Sequence, residues 1–412
     1  MSDFNGTRND RIPATSSSRS PLRRGRLMAG CGLLVLLLTV GGWYWFRPDV
    51  SVQAIELAMK NGDLVAAKAM AERYVQQSPD DLRGWMLQAD LAELNKDFPK
   101  AAVAYSAVVQ LRPDDIRIRH QYAKALLQSS QFQLAEDAYR AILDRKGTDE
   151  IAQTEIQWIL FHQQRDRELE DFLEACLKLE PGNSRLLFHL LVSSQKPANP
   201  LESLPLLEKI DADCPSQRSI ELAVAECAWR MGDLRRSRGL FNSIVQKHGL
   251  DASLALTLAE FEFEQTRPEV AKKYLDWPLD DSTDVSNASQ QQKDVWWWMK
   301  AQIAQSQRQF DVALEAMTEA CRLRPRELRY IHARASLLQL LGRSQEATAL
   351  QAEVAQRRIA DRELSRLVNG GNLHQADISV LMEIARHCRT LGRTFQADNW
   401  ELLIRQHTQP LQ

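Results

Sequence analysis

Carboxylates, histidines and cysteines are the side chains of this 412-residue chain that could catalyse a reaction or hold a metal. The densest group is the run Glu260-Phe261-Glu262-Phe263-Glu264, in which two glutamates could act as general acid and general base. A charge-rich helix surface explains the same run without any chemistry. The chain carries no local signature of a metalloprotease, serine hydrolase or nucleotide binder. We therefore expect no enzyme activity, cofactor, metal or small-molecule substrate.

The cysteines and histidines are scattered rather than clustered. Eight histidines are spread over the whole chain, and no two of the six cysteines have a C-x-x-C spacing. The cysteines are Cys31, Cys176, Cys214, Cys227, Cys321 and Cys388. This spacing argues against a zinc site and against a dense disulfide framework, and ordinary buried thiols are the simplest interpretation.

The elements that would position these side chains follow from a repeat of 34 residues. Units begin at Pro48, Leu82, Ile116, Glu150, Ser184, Arg218 and Ala252 without a slip, and three more begin at Asp294, Leu328 and Ile378. The eighth place of a unit is alanine in seven of the ten, and the twentieth is alanine in seven and serine in two. Small residues at two fixed places predict two closely crossing helices in every unit.

Turn signals separate the predicted helices, and prolines separate the units. Glycine occurs between the two helices at Gly62, Gly232, Gly342 and Gly392, where it can form a left-handed helix cap. Prolines share the thirty-second place of five units, at Pro79, Pro113, Pro181, Pro215 and Pro325. Because good helix formers dominate the rest, we expect little or no β-sheet.

Large residues beside the small ones complete the pattern, which is clearest in residues 82–115, 116–149 and 294–327. Over roughly residues 48–410 the chain resembles the tetratricopeptide repeat family. The resemblance implies an all-α, right-handed superhelical solenoid of about ten helical hairpins. Residues 150–217 depart from the pattern, with Leu169 and Ser203 at the small place and Pro197 and Pro200 near the turn. A distorted middle is therefore expected.

The resemblance also implies that the first helix of each unit lines a concave, partner-binding face. Its inward places include Trp158, Phe161, Phe188, His189, Trp229, Phe263 and Trp298. The family's carboxylate clamp is not predicted, because the corresponding places hold residues such as Met86 and His120. Some of the aromatic residues could instead pack against adjacent helices, since such residues at helical spacing usually belong to a core.

Trp298 is the first candidate for an anchor that holds a partner. Trp296, Trp297 and Trp298 are consecutive, so on a helix they point about 100° apart and cannot all face one core. We expect at least one of the three indoles to be available to a partner. As an inward residue, Trp298 is expected to support no contact within its hairpin.

The N-terminal region predicts a membrane anchor. Residues 27–46 contain no charge, and twenty helical residues span a hydrocarbon layer of about 30 Å. Four arginines lie just before this stretch and only Arg47 just after it, which predicts a cytoplasmic N-terminus. A cleaved signal peptide is the main alternative. A lipoprotein box at Cys31 is disfavoured because it would precede the apolar stretch.

The whole chain divides accordingly. We predict a disordered basic tail (1–26), a transmembrane helix (27–46), seven units (48–278), an exposed loop (279–293), two units (294–361), an insert that is a loop or short helix (362–377) and a capping unit (378–412). Beyond residue 47 the chain has 45 basic and 52 acidic residues, which argues against nucleic-acid binding.

These features predict a scaffold or assembly factor anchored in the inner (plasma) membrane. Its repeat domain would lie in the periplasm and bind partner proteins or extended segments in the concave face. The alternative is a noncatalytic subunit of a specific membrane enzyme complex, which would have one stoichiometric partner.

Overall fold

The computed structural model describes residues 50–276, 290–370 and 377–408. These residues form helices and no strand. The predicted tail and membrane helix lie outside them, as does most of the predicted loop at 279–293. Among the helices that the structure does describe, none is both long and apolar enough to cross a membrane.

The chain forms two compact units, the first ending at Leu87 and the second beginning at Gln88. The first contains α1 (Val52–Lys60) and α2 (Leu64–Gln77), and the division falls within α3 (Leu82–Leu94). The second continues with α4 (Phe98–Leu111), α5 (Ile116–Gln128), α6 (Phe132–Leu143), α7 (Glu150–His162), α8 (Asp166–Leu179), α9 (Ser184–Gln195), α10 (Pro200–Asp213), α11 (Arg218–Arg230) and α12 (Leu234–His248). It ends with α13 (Ala252–Glu264), α14 (Pro268–Leu275), α15 (Gln290–Ser306), α16 (Phe310–Leu323), α17 (Leu328–Leu340), α18 (Ser344–Gly370), α19 (Ile378–Thr390) and α20 (Thr394–Thr408).

The twenty helices of the described ranges pair in sequence into ten hairpins. Eight of the ten first helices begin at the residue predicted to start a repeat unit. The all-α repeat fold predicted from the 34-residue period is therefore confirmed. In the first unit, Ile55, Ala67 and Ala71 are buried where α1 and α2 cross.

The two small places of each unit lie where the hairpin helices pack against each other. All of the alanines at these places are buried, and so are the larger residues that replace them, such as Gln157 and Leu169 of the α7/α8 hairpin. A small side chain lets two helix axes approach closely. The alanine pattern thus reports the packing within each hairpin.

The turns within the hairpins use the left-handed backbone conformation. Gly62 has φ +77° and Gly232 has φ +83°. At the same place in other units, Lys96, Ser130, Gln164, Thr266 and Arg308 also have positive φ. The hairpin α9/α10 is the exception: its turn contains Pro197, and α10 begins at Pro200. This is the one departure that the prolines in the middle of the sequence predicted.

The region predicted as an insert at 362–377 begins as a continuation of α18. This helix is 27 residues long and extends to Gly370. Residues 371–376 lie outside the described ranges. The sequence from residue 344 to 369 contains neither glycine nor proline, so nothing in it ends the helix earlier.

Ala313 provides a direct test of the repeat register. Its side chain is 0% exposed on α16, so Ala313→Trp should lower the free energy of unfolding by roughly 1–3 kcal/mol through overpacking. The adjacent Val312 is 44% exposed, and Val312→Trp should leave stability almost unchanged. Urea unfolding of both variants is the measurement. Equal urea midpoints for Ala313→Trp and Val312→Trp would show that Ala313 does not lie at the helix crossing.

Candidate interaction surface

The seven residues predicted to bind a partner all lie on first helices of hairpins. Trp158 and Phe161 are on α7, Phe188 and His189 on α9, Trp229 on α11, Phe263 on α13 and Trp298 on α15. Their surroundings differ, and they fall into three groups.

The inward residues of α7 form the most exposed apolar surface of the three groups. Trp158 is 36% exposed, and Ile151, two turns earlier on the same face, is 58% exposed. The Trp158 indole stacks on Phe132, with 5.7 Å between ring centroids, and tilts against His162 at 4.4 Å. Phe161 lies half-buried against the same histidine. Trp158 is therefore held in place by aromatic neighbours while one part of its ring faces solvent.

Two predicted binding residues of α9 are covered by the protein itself, whereas Val192, at the ninth place of the same unit, is 38% exposed. Phe188 is only 8% exposed and meets Trp400 of α20 edge-on at 5.1 Å. His189 contacts the side-chain oxygen of Gln157 through Nδ1. A partner could reach Phe188 only if Trp400 moved away.

The aromatic residues of α11, α13 and α15 are half-buried between neighbouring helices. Trp229 packs edge-on against Phe261 at 5.5 Å and donates a hydrogen bond from Nε1 to Glu264. Phe263 packs at the edge of the cluster formed by α13, α14 and α15. Trp298 stacks on Tyr330 of α17, with 5.0 Å between centroids.

Trp298 therefore packs against α17, the first helix of the next hairpin. Its indole lies between the Tyr330 ring and the guanidinium of Arg329, which is 5.9 Å from the indole centroid. Trp296 and Trp297 are also half-buried, and both lie within 5 Å of the Lys300 ammonium. Trp298 packs on α17, whereas Trp296 and Trp297 contact each other edge-on at 4.9 Å and share Lys300.

Two glutamates on this inward face were not singled out by sequence reasoning. Glu226 of α11 and Glu260 of α13 occupy the same place in successive units and are half-buried. Neither makes an ion pair or hydrogen bond within the described part of the chain. Burial raises the pKa of both, that of Glu226 to about 7, against the opposing field of Arg230. Their shared place in the 34-residue unit was the signal that could have identified them.

Arg230, whose charge opposes the rise in the pKa of Glu226, contacts other side chains. Arg230 lies 3.5 Å from Asp166 and donates a hydrogen bond to the side chain of Gln164. Glu262, from the same run as Glu260, is instead buried and paired with Arg238. The run of alternating glutamate and phenylalanine thus supplies residues to two faces of α13. Glu260 makes no ion pair among the described residues, and Glu264, also at an inward place, accepts a hydrogen bond from Trp229.

The described residues contain no group of three His, Cys, Asp or Glu side chains that could hold a metal. Cys176, Cys214, Cys227, Cys321 and Cys388 are all free thiols. Burial raises the pKa of Cys176, Cys227, Cys321 and Cys388 to about 11. Thiols of that kind are poor nucleophiles at neutral pH.

Comparison with known proteins agrees with this architecture. A family profile described as "Tetratricopeptide repeat" matches residues 52–116, which form α1 to α4. Residues 52–116 therefore match the tetratricopeptide repeat family. The described hairpins continue through the second unit to α20 in the same pattern. No curated protein sequence matches this chain.

Several solved structures are similar to this chain. The human IFIT1 dimer with PPP-AAAA is 11% identical over 88% of this chain and 92% of its own, with a TM-score of 0.37. The Naa15/Naa10 complex bound to HypK-THB is 12% identical over 92% of this chain and 75% of its own, with a TM-score of 0.33. PilW, a type IV pilus biogenesis factor, is 16% identical over 50% and 96%, with a TM-score of 0.25. Likeness at this level carries no argument about partners.

Proposed function

We propose that this protein is a scaffold that binds partner proteins through the inward faces of its first helices. The observation that carries the proposal is the exposed apolar strip of Ile151 and Trp158 on α7. Repeat arrays use extended surfaces of this kind to bind other proteins. A rigid indole that is partly exposed and supported by neighbouring rings is the type of residue that dominates binding energy.

Trp158→Ala tests this proposal. Removal of one anchoring indole should weaken partner capture by on the order of 2 kcal/mol, or about thirtyfold. Helicity should be retained because Trp158 lies at the edge of the hairpin rather than at the helix crossing. The measurement is quantitative pull-down from detergent extracts, with circular dichroism on the same samples.

Leu134→Ala is the matched control for that experiment. Leu134 is an exposed apolar residue on the second helix α6, away from the inward places. The Leu134→Ala variant should capture partner proteins as strongly as wild type does. Equal capture by wild type and Trp158→Ala would remove α7 as the binding surface. A single stoichiometric partner, rather than several, would favour the alternative of a subunit of one enzyme complex.

We also propose that residues 27–46 anchor the protein in the inner membrane with the repeats in the periplasm. The uncharged stretch and the arginines before it support this topology. In a bacterial host, alkaline phosphatase fused after Gln412 should be active, while a cytoplasmic reporter at the same position should not. The opposite result would place the repeats in the cytoplasm.

A further inference from the structure

One face of α8 contacts the C-terminal half of the second unit. Its charged residues Arg167, Glu170, Asp171 and Glu174 are spaced so that they line one side of a helix. The Glu174 carboxylate lies 2.7 Å from a guanidinium nitrogen of Arg326, which follows α16. Tetratricopeptide hairpins normally contact only the hairpins next to them. This contact instead joins the fourth hairpin to the end of the eighth.

The connection between α8 and α9 approaches α20 closely. The Gly182 amide donates a hydrogen bond to the side-chain oxygen of Asn399 at 2.9 Å, and Asn399 is 6% exposed. A Cβ atom at Gly182 would lie 3.2 Å from side-chain carbons of Leu402. Gly182 also has φ +75°, a conformation that favours glycine. The hydrogen bond to Asn399 and the closeness of Leu402 show that α20 packs directly on this turn.

The inward side of α9 is then partly covered by α18, by α20 and by the turn before α20. Phe188 meets Trp400, which is 1% exposed. Gln195 donates from its amide to Asp361 of α18 at 3.2 Å. Arg393, between α19 and α20, donates to the Ser194 hydroxyl at 2.9 Å. The covering hairpin is five hairpins further along the chain than α9.

This contact differs from the packing between neighbouring hairpins. The neighbour-facing side of α9 is already buried through a fully apolar row, Leu186, Leu187, Leu190 and Leu191. The long-range contact instead combines one aromatic pair with ion pairs and single hydrogen bonds. The side chains of Glu174 and Arg326 are 16% and 27% exposed, whereas Asp294, which pairs with Arg167 of α8, is fully buried. The partly exposed pairs contribute little net free energy, so we expect this contact to separate before the hairpins unfold.

We propose that α18 and α20 act as an intramolecular ligand of α9, so that Phe188 is closed to a partner until these helices move away. The proposal rests on the function proposed above, since α9 carries two of the predicted binding residues. Partner binding at α9 therefore competes with the C-terminal hairpin, whereas the exposed strip on α7 is open at all times.

Charge reversal at Glu174 tests this on the full chain in detergent. Glu174→Arg places a second guanidinium against Arg326 and should raise amide hydrogen exchange in both α9 and α20 by at least about tenfold, with helicity unchanged. Adding Arg326→Glu should bring both exchange rates back toward wild type. The control Glu319→Arg disrupts an exposed pair with Arg322 on α16 and should leave α9 and α20 unchanged.

Binding provides the second measurement. The partner retained by wild type in the Trp158 experiment should bind Glu174→Arg about tenfold more tightly. Equal binding of the partner by wild type and Glu174→Arg would contradict the proposed competition. So would faster exchange in α20 without faster exchange in α9, or a double variant whose exchange rates are no closer to those of wild type. If no variant retains any partner, the proposed function fails, while the exchange rates still decide whether the helices separate.

Discussion

Phe261→Ala should lower the free energy of unfolding by about 3–5 kcal/mol, the usual cost of removing a fully buried aromatic ring. Phe261 is 0% exposed on α13. Its ring packs against Trp229 at 5.5 Å and Phe241 at 5.2 Å, and the Arg238 guanidinium lies 5.0 Å from its centroid. Alanine would leave a cavity in place of the ring that contacts both Trp229 of α11 and Phe241 of α12. Urea unfolding followed by circular dichroism measures the effect.

Phe263→Ala is the matched control because it removes the same side chain two residues further on. Phe263 lies half-buried at the inward place, so its loss should cost clearly less than that of Phe261. It should instead alter partner capture if the α13 surface takes part in binding. A larger loss of stability for Phe263→Ala than for Phe261→Ala would show that the two faces of α13 were assigned the wrong way round.

The hairpins could be predicted from the sequence because their determinants are local and repeated. Close helix crossings need small residues, and Ala67 and Ala313 mark two of these crossings. Left-handed turns favour glycine, and Gly62 and Gly232 mark two of those. Each signal recurs every 34 residues, so a unit that departs from the pattern can still be located from the units on either side of it.

The closure of α9 could not be predicted, because a repeat period describes only contacts between neighbours. Phe188 occupies an inward place, as the sequence indicated, but its neighbour Trp400 belongs to a distant hairpin. Arg326 and Glu174 carry no pattern that pairs them before the chain is folded. Trp298 illustrates the other limit, since an inward residue can still stack on the next first helix through Tyr330.

Charge at the inward face should make stability depend on pH through Glu226. Burial raises its pKa from 4.5 to about 7, assisted by the negative charges of Glu260, Asp166 and Glu168 and opposed by Arg230. Between about pH 4.5 and 7 the unfolded chain loses this proton while the folded protein keeps it. The folded state then binds more protons, so the free energy of unfolding must fall as pH rises through this range.

Glu226→Gln removes this dependence, because an amide stays neutral at every pH. At 1.36 kcal/mol for each pKa unit, the variant should be more stable than wild type by up to about 3 kcal/mol at pH 8 and nearly equal to it at pH 4.5. Urea unfolding at both pH values measures the difference. Glu315→Gln, at an exposed position on α16, should match wild type at both. Equal stability of Glu226→Gln and wild type at pH 8 would mean that Glu226 finds a cation or water when it ionises, and that the inward face tolerates the charge without a partner.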